Sequence, residues 1–450
     1  MTNVYQLKRG LDIHLAGKAS SDVRTPKGSA VYGLVPDSFT GVKPKVVVKE
    51  GDAVKAGDAL FVNKLHPQVK FVSPVSGTVK AVVRGERRKL LCVQVEADKT
   101  IAYATFKTGD VQKMDAATVK QLLLDSGLFA FILQRPYAVV ANPDDTPKGI
   151  FVSTFSDMPL AADFEVALQG EEANWQLGID ALSKLAPVFV GVKPGASTAL
   201  TGTKNATVSE FRGKCPAGNV GVQINHVNPV NKGERVWTIG AEEVLFIGRL
   251  LQTGKVDLHR TIAVAGSEVK APQHANVLVG QQLGSIVDGG LKTDVKVRLI
   301  EGNPLVGQAA TADDFLGAHT TELTAIPEGD TADEAFGWIM PRLKDFSVSR
   351  TYCSWLQGSK KEYVLDARIK GGERHMIVSG EYDSVFPMDI YPEQLLKAII
   401  AGDIDRMEAL GIYEVAPEDF AVAEFVDSSK VALQRLVREG LDMLRKENDE

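Results

Sequence analysis

The side chains that most often bind metals or carry covalent chemistry are few in this chain and widely spaced. The cysteines are Cys92, Cys215 and Cys353, and no two of them form a CxxC pair. An iron–sulfur cluster needs about four thiolates, and a disulfide framework needs paired cysteines. No HExxH motif occurs, and His226 in QINHVNPVN is either a structural histidine or a metal ligand. The spacing predicts no metal site, no disulfide framework and no catalytic residue set.

A second candidate for chemistry is the turn Asn63-Lys64-Leu65-His66-Pro67, inside VVVKEGDAVKAGDALFVNKLHPQVKFVSPVSGTV. Runs rich in Val and Ala that are joined by Gly-Asp turns predict the short strands of a small closed β-sandwich. The stretch resembles a lipoyl or biotinyl carrier domain, in which a lysine on the hairpin tip carries the cofactor. The equivalent position here is His66, and Lys64 is two residues away. The pattern therefore predicts the carrier fold, with carrier function as the less favoured alternative.

Length, composition and net charge limit the classes to which this protein can belong. The chain has 450 residues, is 44% hydrophobic and 24% charged, and carries a net charge of −6. A chain this long forms several domains, and an acidic balance argues against a nucleic-acid partner. It contains no run of about eighteen apolar residues, and the opening MTNVYQLKRGLDIHLAG lacks an apolar signal core. We expect a cytoplasmic chain that does not span a bilayer by itself.

After the β module, strand and helix patterns alternate. AATVKQLLLDSGLF has apolar residues at helical spacing and a glycine after its last turn. KGIFVSTFS and APVFVGVKPG indicate buried strands on either side of the helix EEANWQLGIDALSKL, which favours a parallel βαβ layer. Near the carboxyl terminus, Leu433, Val437 and Leu441 share one helix face, and Ser428 or Ser429 is the expected N-cap.

These patterns predict an α/β multidomain protein. We expect five parts along the chain: a barrel-sandwich (lipoyl/biotinyl-like) β module at 1–100, a Rossmann-like α/β domain at 101–256, a β-grasp-like (SLBB) domain at 257–326, a mixed connecting segment at 327–386 and a C-terminal helical domain at 387–450. No long low-complexity linker separates these parts, so we expect them to pack as one body.

Several long motifs occur together in this chain, and no general feature of protein folds requires them to do so. They are KRGLDIHLAG, VKFVSPVSGTVKAVVRGERRKLL, SGLFAFILQRPY, PAGNVGVQINHVNPVN, FGWIMPRLKDFSVSR and FPMDIYPEQLLKAIIAGD, spread from residue 8 to residue 403. In this order of parts the chain resembles the NqrA component of the Na⁺-translocating NADH:quinone oxidoreductase (Na⁺-NQR). The resemblance covers nearly the whole chain.

The resemblance implies a peripheral subunit on the cytoplasmic face of the inner membrane, without a transmembrane segment of its own. The implied complex transfers electrons from NADH to ubiquinone or another quinone and exports Na⁺. Its flavins and iron–sulfur centres would lie in other subunits, chiefly membrane partners, and this chain would bind no cofactor. Two alternatives remain, which are a pure docking scaffold of the same complex and an independent FMN-containing NADH dehydrogenase.

The domain order also resembles the NADH- and FMN-binding subunit of respiratory complex I, in which a Gly-rich loop cradles the flavin phosphate. The equivalent stretch here begins at Ser126-Gly127 and retains one glycine. A phosphate cradle needs backbone N–H groups close to the oxygens, and bulky side chains obstruct that approach. The flavin loop is therefore degenerate. The vacated pocket is either filled as core or retained for a quinone ring, with the lining residues Phe129, Phe131, Arg135 and Tyr137.

Those relatives also carry cluster cysteines in the C-terminal helical region. AEFVDSSK has Asp427 where such a cysteine would fall, and only Cys353 lies in this half of the chain. A cluster needs about four thiolates, so the resemblance implies a helical domain without a cluster.

A run of basic residues follows the barrel-sandwich motif. It comprises Arg84, Arg87, Arg88 and Lys89 in VVRGERRKLL. This run is either a charged turn or a contact for anionic lipid headgroups or an acidic partner face.

Overall fold

The computed structural model describes residues 3–330, 340, 342–350, 352–358, 361–377 and 379–449. Part of the predicted connecting segment, including the FGWI stretch at 336–339, lies outside these residues. The described strands are, in chain order, β1 (Asn3–Gln6), β2 (Ser20–Arg24), β3 (Val31–Leu34), β4 (Pro44–Val46), β5 (Ala53–Val54), β6 (Ala59–Asn63), β7 (Lys70–Val72), β8 (Gly77–Arg84), β9 (Leu90–Ala97), β10 (Leu133–Arg135), β11 (Val139–Val140), β12 (Ile150–Ser153), β13 (Val188–Val192), β14 (Thr207–Arg212), β15 (Val236–Thr238), β16 (His259–Ala265), β17 (Gln273–Leu278), β18 (Val297–Glu301), β19 (Gln308–Ala310) and β20 (Glu322–Pro327).

Helices fill the spaces between the sheets and form most of the C-terminal part. The described α-helices are α1 (Ala116–Ser126), α2 (Phe164–Leu168), α3 (Glu172–Leu185), α4 (Thr198–Thr201), α5 (Val220–Val227), α6 (Ala241–Thr253), α7 (Leu283–Val287), α8 (Glu381–Val385), α9 (Pro392–Ala401), α10 (Ile404–Ala409), α11 (Ala421–Val426) and α12 (Leu433–Asp449). The helix α9 is followed by Gly402, which adopts the left-handed conformation that ends helices.

The central layer is a seven-stranded sheet in the order β1-β14-β13-β12-β15-β10-β11. Its first five strands run parallel, and β10 and β11 add an antiparallel edge. The residues of β12 from Ile150 to Val152 are buried, as a strand covered on both faces requires. The predicted parallel βαβ layer is therefore present, and its carboxyl edge is the place where open α/β sheets bind ligands.

Three further sheets flank this layer. A four-stranded sheet (β3-β9-β8-β5) and a three-stranded sheet (β4-β6-β7) form the barrel-sandwich. A six-stranded sheet has the order β19-β18-β20-β16-β17-β2. One hydrophobic core joins the barrel-sandwich to one face of the central sheet, and a second joins the opposite face to the C-terminal helices. The sheets and helices are thus packed against each other through continuous apolar cores.

The first strands of the chain lie outside the barrel-sandwich. Asn3 of β1 pairs with Ser209 of β14, and Ser20 of β2 pairs with Gln273 of β17. The predicted division at residue 100 places both strands in the β module. The local pattern indicates that a strand forms, but it carries no information on the distant strand that supplies the hydrogen bonds.

The start of the last helix differs from the sequence prediction. The helix α12 begins at Leu433, so neither Ser428 nor Ser429 is its N-cap. Asp427 instead accepts the backbone N–H groups of Ser429 and Val431 at 3.0 and 2.7 Å. Lys430 has a φ of 56°, which turns the chain before the helix can start.

Candidate functional site

The stretch equivalent to a flavin loop is packed as core. The helix α1 ends at Gly127, whose φ of 76° suits glycine, and a 3-10 turn over 128–131 follows. A Cβ at Gly127 would meet Cγ1 of Val72 at 2.5 Å, so the barrel-sandwich closes over this turn. Phe129 is fully buried and meets Trp237 edge-on, with ring centroids 5.5 Å apart. The turn offers no open backbone cradle for a phosphate.

Phe131 lies among three other rings. Its centroid is 5.9 Å from that of Phe39, 5.6 Å from that of Phe246 and 5.5 Å from that of His319, all edge-on. Unlike Phe129, Phe131 lines a cavity. The two phenylalanines of the stretch therefore have different environments.

Arg135 and Tyr137 do not join Phe131 at that cavity. The Arg135 guanidinium is buried and donates to Asp419, to Glu418 and to the carbonyl oxygen of Glu414. Tyr137 accepts a hydrogen bond from Asn448 at 3.2 Å and lines a second cavity. The four residues predicted to line a quinone are thus distributed over a core position, two cavities and an ion pair.

The cavity at Phe131, here called the crevice cavity, has a volume of about 390 Å³. It lies at the carboxyl ends of β12 and β15, and the six-stranded sheet and the turn over 417–420 close it. Its apolar lining residues are Phe131, Leu133, Phe155, Ala162, Phe164, Val220, Ile239 and Ala241. Its hydroxyl-bearing lining residues are Ser153, Thr154, Ser156, Thr238, Thr261 and Thr321. The size and this mixed lining suit a small planar molecule with hydrogen-bonding edges.

One wall of the crevice cavity holds a buried charge cluster. Arg260 donates from Nε to Glu242 at 3.0 Å and from Nη2 to Glu243 at 2.7 Å. Burial would raise the pKa of both carboxyls, but the attractions of Arg260 and His319 outweigh it at Glu243 and lower that pKa to about 2. At Glu242, burial prevails and raises the pKa. Arg260 thus bonds to both carboxyl groups, and the ion pair prevails over burial at Glu243.

Carboxylates lie close to the helix N-termini at the cavity. A Cβ at Gly221, in the first turn of α5, would meet an Asp419 oxygen at 2.4 Å. A Cβ at Gly240, the N-cap of α6, would meet a Glu243 oxygen at 1.9 Å. Helix N-termini bind phosphates through free N–H groups and the helix dipole. Here two carboxylates of the chain itself lie close to these N-termini, although neither helix has a side-chain cap hydrogen bond.

His319 is a lining residue that the sequence interpretation missed. Its Nδ1 lies 3.7 Å from Glu243 Oε1, and its Nε2 atom is buried without a hydrogen-bond partner among the described residues. A buried polar atom without a partner marks a place where a ligand or water completes the bonding. The sequence GAHTTE around it matches no motif, and only the fold brings it to Phe131.

The second cavity, here called the hairpin cavity, lies at the tip of the β6–β7 hairpin and has a volume of about 470 Å³. His66 and Tyr137, which the sequence singled out for separate reasons, both line it, with Arg235 and Arg445. Neighbouring residues of β10 separate the two cavities, because Leu133 faces the crevice cavity and Gln134 the hairpin cavity. Lys64 on the same hairpin is exposed.

The other residues that the sequence singled out make contacts within the fold that suit a structural role. His226 hydrogen-bonds through Nδ1 to the Val222 carbonyl at 2.8 Å and meets Tyr5 edge-on. In the basic run, Lys89 pairs with Asp37 at 2.7 Å. Asp427 is buried as the cap of the turn before α12. Among the described residues, no helix combines the length and apolar character needed to cross a bilayer.

Family models match three parts of the chain. The NqrA N-terminal barrel-sandwich hybrid domain matches residues 5–98, the NqrA second alpha/beta domain matches 114–256 and the NQRA C-terminal domain matches 261–312. These matches confirm the predicted α/β multidomain fold class. They define the class of protein as a barrel-sandwich, α/β and SLBB assembly of the NqrA kind.

Whole-chain relatives make the assignment specific. The chain is 34% identical to the NqrA component of the Na(+)-translocating NADH-quinone reductase from Haemophilus influenzae (strain PittGG), over 98% of this chain and 99% of that protein. It is also 34% identical, over the same shares, to the protein of the same name from Pasteurella multocida (strain Pm70). The chain belongs to the NqrA family of the Na(+)-translocating NADH-quinone reductase.

A likeness to a solved structure is much weaker. An NAD⁺-reducing [NiFe]-hydrogenase in the air-oxidized state aligns with 13% identity and a TM-score of 0.34, over 51% of this chain and 52% of that chain. This likeness carries no argument about function.

Proposed function

We propose that this chain is a flavin-free peripheral subunit of an NADH:quinone reductase complex, and that its crevice cavity accepts the quinone ring. The name shared by its whole-chain relatives supports membership in a Na⁺-translocating complex with other subunits. The chain would dock on a membrane-embedded partner at the cytoplasmic face of the inner membrane. NADH oxidation, flavins and iron–sulfur centres would reside in the partner subunits.

Two observations support the absence of a flavin from this chain. The 3-10 turn after Gly127 is covered by the barrel-sandwich, so its backbone is not open to a phosphate. Asp419 and Glu243 lie close to the helix N-termini at the crevice, and a second anion there would be repelled by them. A flavin phosphate would therefore lie close to two buried carboxylates.

The observation that carries the quinone proposal is the combination of Phe131 and His319 on one wall of the crevice cavity. An edge-on phenylalanine matches the apolar ring of a quinone. The His319 Nε2 atom, which has no partner among the described residues, matches the carbonyl oxygen when it carries a proton and donates. A quinone has no phosphate, so the carboxylates close to the helix N-termini do not exclude it. Of the four predicted lining residues, Phe131 is then the direct contact, and Arg135 acts through Glu418, which also lines the cavity.

The expected affinity is modest. Aromatic contact contributes about 0.5–1.5 kcal/mol. Burying roughly 150 Å² of ring and tail adds about 4 kcal/mol at about 25 cal/mol per Å². Loss of motion on binding offsets part of this, so we expect the isolated chain to bind a short-chain quinone no tighter than roughly micromolar.

A matched pair of substitutions tests the proposal. Phe131→Leu and Phe129→Leu make the same chemical change two residues apart, but only Phe131 lines the cavity. Titration of a short-chain ubiquinone analogue, followed by tryptophan fluorescence, should show binding about 3- to 10-fold weaker in Phe131→Leu. Phe129→Leu should retain the parental affinity. His319→Gln should also weaken binding, with unchanged circular dichroism.

The second candidate is a docking scaffold without a ligand, and the Arg135–Asp419 ion pair favours it. That pair ties the C-terminal helices to the central sheet and needs no ligand. If the parent chain binds no quinone, or if both phenylalanine variants bind as the parent does, the scaffold describes this chain better.

A further inference from the structure

The hairpin cavity presents hydrogen-bond donors whose orientation is fixed by the fold. Asn63 accepts the Leu65 N–H through Oδ1 at 3.1 Å, and Gln134 accepts the Asn142 N–H through Oε1 at 2.8 Å. Both side chains are 6% exposed and line the cavity. Because their oxygens are engaged by the backbone, their NH₂ groups are the ends left for a ligand. Two rigid carboxamide donors therefore face one space.

Two guanidinium groups complete this donor set. Arg235 lines the cavity with a buried Nε that has no hydrogen-bond partner in the described ranges. Its Nε lies 3.6 Å from Oδ2 of Asp145, and its Cζ lies 5.8 Å from the Tyr137 ring centroid. Arg445 also lines the cavity and donates to the Gly41 carbonyl at 3.4 Å. Two guanidinium groups therefore line the same cavity as the two carboxamides.

The backbone beside the cavity is strained. Tyr137 has a φ of 86° and the following Ala138 a φ of 49°. For a bulky residue this conformation is an outlier that costs about 1–3 kcal/mol, and such residues cluster at binding sites. The strain places the Tyr137 ring in the cavity wall and against the Arg235 guanidinium.

We infer that the hairpin cavity is a binding site for a phosphate group, either of a small phosphorylated molecule or of a phospholipid headgroup. Phosphate is acceptor-rich and anionic, and arginine forks with amide NH₂ groups supply the donors that it requires. The volume of about 470 Å³ exceeds what one phosphate fills and leaves room for an attached group. Residues of the crevice cavity take no part in this site, so it does not depend on the quinone proposal.

Calorimetry on the full chain tests the site with defined probes. Sodium phosphate and pyrophosphate are titrated against NaCl at matched ionic strength, and vesicles of phosphatidylglycerol in phosphatidylcholine are tested by co-flotation. We expect saturable binding of pyrophosphate that NaCl does not reproduce. Gln134→Glu replaces a donor by a carboxylate of the same shape and should weaken binding more than about tenfold, as should Arg235→Gln.

The control is Arg87→Gln, which removes one positive charge from the exposed turn over 85–89. It should leave pyrophosphate affinity unchanged. Melting temperature and circular dichroism check each variant, and if Gln134→Glu does not fold, Arg235→Lys keeps the charge and should still weaken binding because the fork is lost.

Competition between pyrophosphate and vesicles distinguishes a soluble phosphorylated molecule from a phospholipid headgroup. Vesicle binding that pyrophosphate abolishes identifies a lipid headgroup, and pyrophosphate binding without vesicle association identifies a soluble ligand; both support the site. Absence of saturable binding by any probe overturns the inference. So does binding that Arg87→Gln weakens as strongly as Gln134→Glu does.

Discussion

Arg135 in β10 donates from Nη1 to Oδ2 of Asp419 at 2.8 Å, and both side chains are buried. Asp419 also accepts the N–H of Ala416 at 2.9 Å and a hydrogen bond from Asn219 at 3.2 Å. One carboxylate thus joins β10 of the central sheet, the N-cap residue of α5 and the turn that leads into the C-terminal helices. The placement of these helices depends on this pair more than on any exposed ion pair nearby.

Replacing Arg135 by methionine should destabilise the protein strongly. The substitution leaves Asp419 buried without its cation, and breaking a buried pair costs about 3–5 kcal/mol. Urea unfolding at neutral pH measures the change in the free energy of unfolding. The control is Arg406→Met, which removes the ion pair with Asp403. The Arg406 side chain is 77% exposed, so this substitution should lower the free energy of unfolding by less than about 1 kcal/mol. Equal losses in the two variants would contradict the role given to Arg135.

Asp157 should make stability depend on pH in the mildly acidic range. Burial raises its pKa from 3.8 to about 6, and the backbone N–H of Gly218 offsets only part of this effect. The folded state holds the proton more tightly, so this contribution is complete below about pH 4 and is lost as pH rises through 6. Asp157→Asn should therefore stabilise the protein at pH 7, by at most about 3 kcal/mol, and change little at pH 4.

The control for Asp157 is Asp294→Asn, since Asp294 is an exposed carboxyl group. Chemical unfolding of the parent and both variants across pH 4 to 7 gives the comparison. A parallel pH dependence in the parent and Asp157→Asn would show that another group is responsible.

The purified chain should be colourless. Phe129 and Phe131 occupy the space beside Gly127, and Asp419 and Glu243 lie close to the helix N-termini, so we expect no retained flavin. Visible absorption of the native protein, followed by chromatography of the supernatant after denaturation, measures any bound flavin. About one flavin per chain would refute the interpretation of the degenerate loop.

Thiol labelling should distinguish one cysteine from the other two. Cys353 is exposed, whereas Cys92 and Cys215 are buried. Burial raises the pKa of Cys92 to about 12, and burial together with the nearby Asp157 carboxyl raises that of Cys215. The thiolate is the reactive form. An aromatic disulfide reagent should label one thiol quickly in the native protein and three after unfolding, and Cys353→Ser should remove the fast reaction.

The elements that the sequence predicted well are those with strong local signals. The helix α1 ends at Gly127 as its pattern required, and the runs around Ile150 and Val188 became adjacent parallel strands. Apolar periodicity and glycine positions are properties of neighbouring residues. They report which element forms, and they contain no information on which distant element it meets.

The sites were predicted less completely for the same reason. The sequence singled out Arg135 as a quinone-lining residue, but in the fold it donates to Asp419, far along the chain. His319 had no local signal, and His66 and Tyr137 gave no indication that they line one cavity. A cavity wall assembled from several sheets is a long-range property. Residue types suggested the chemistry, and only the topology showed which residues line the same cavity.

The pairing of the first two strands has a consequence for synthesis. The barrel-sandwich strands from β3 to β9 can close once their own segment has left the ribosome. The strand β1, in contrast, has to wait for β14, and β2 has to wait for β17. Nascent chains emerge from the amino end, so these edges stay unpaired while most of the central sheet is being made. An amino-terminal fusion partner or tag would occupy the segment during that interval, and carboxyl-terminal tagging leaves it free to pair.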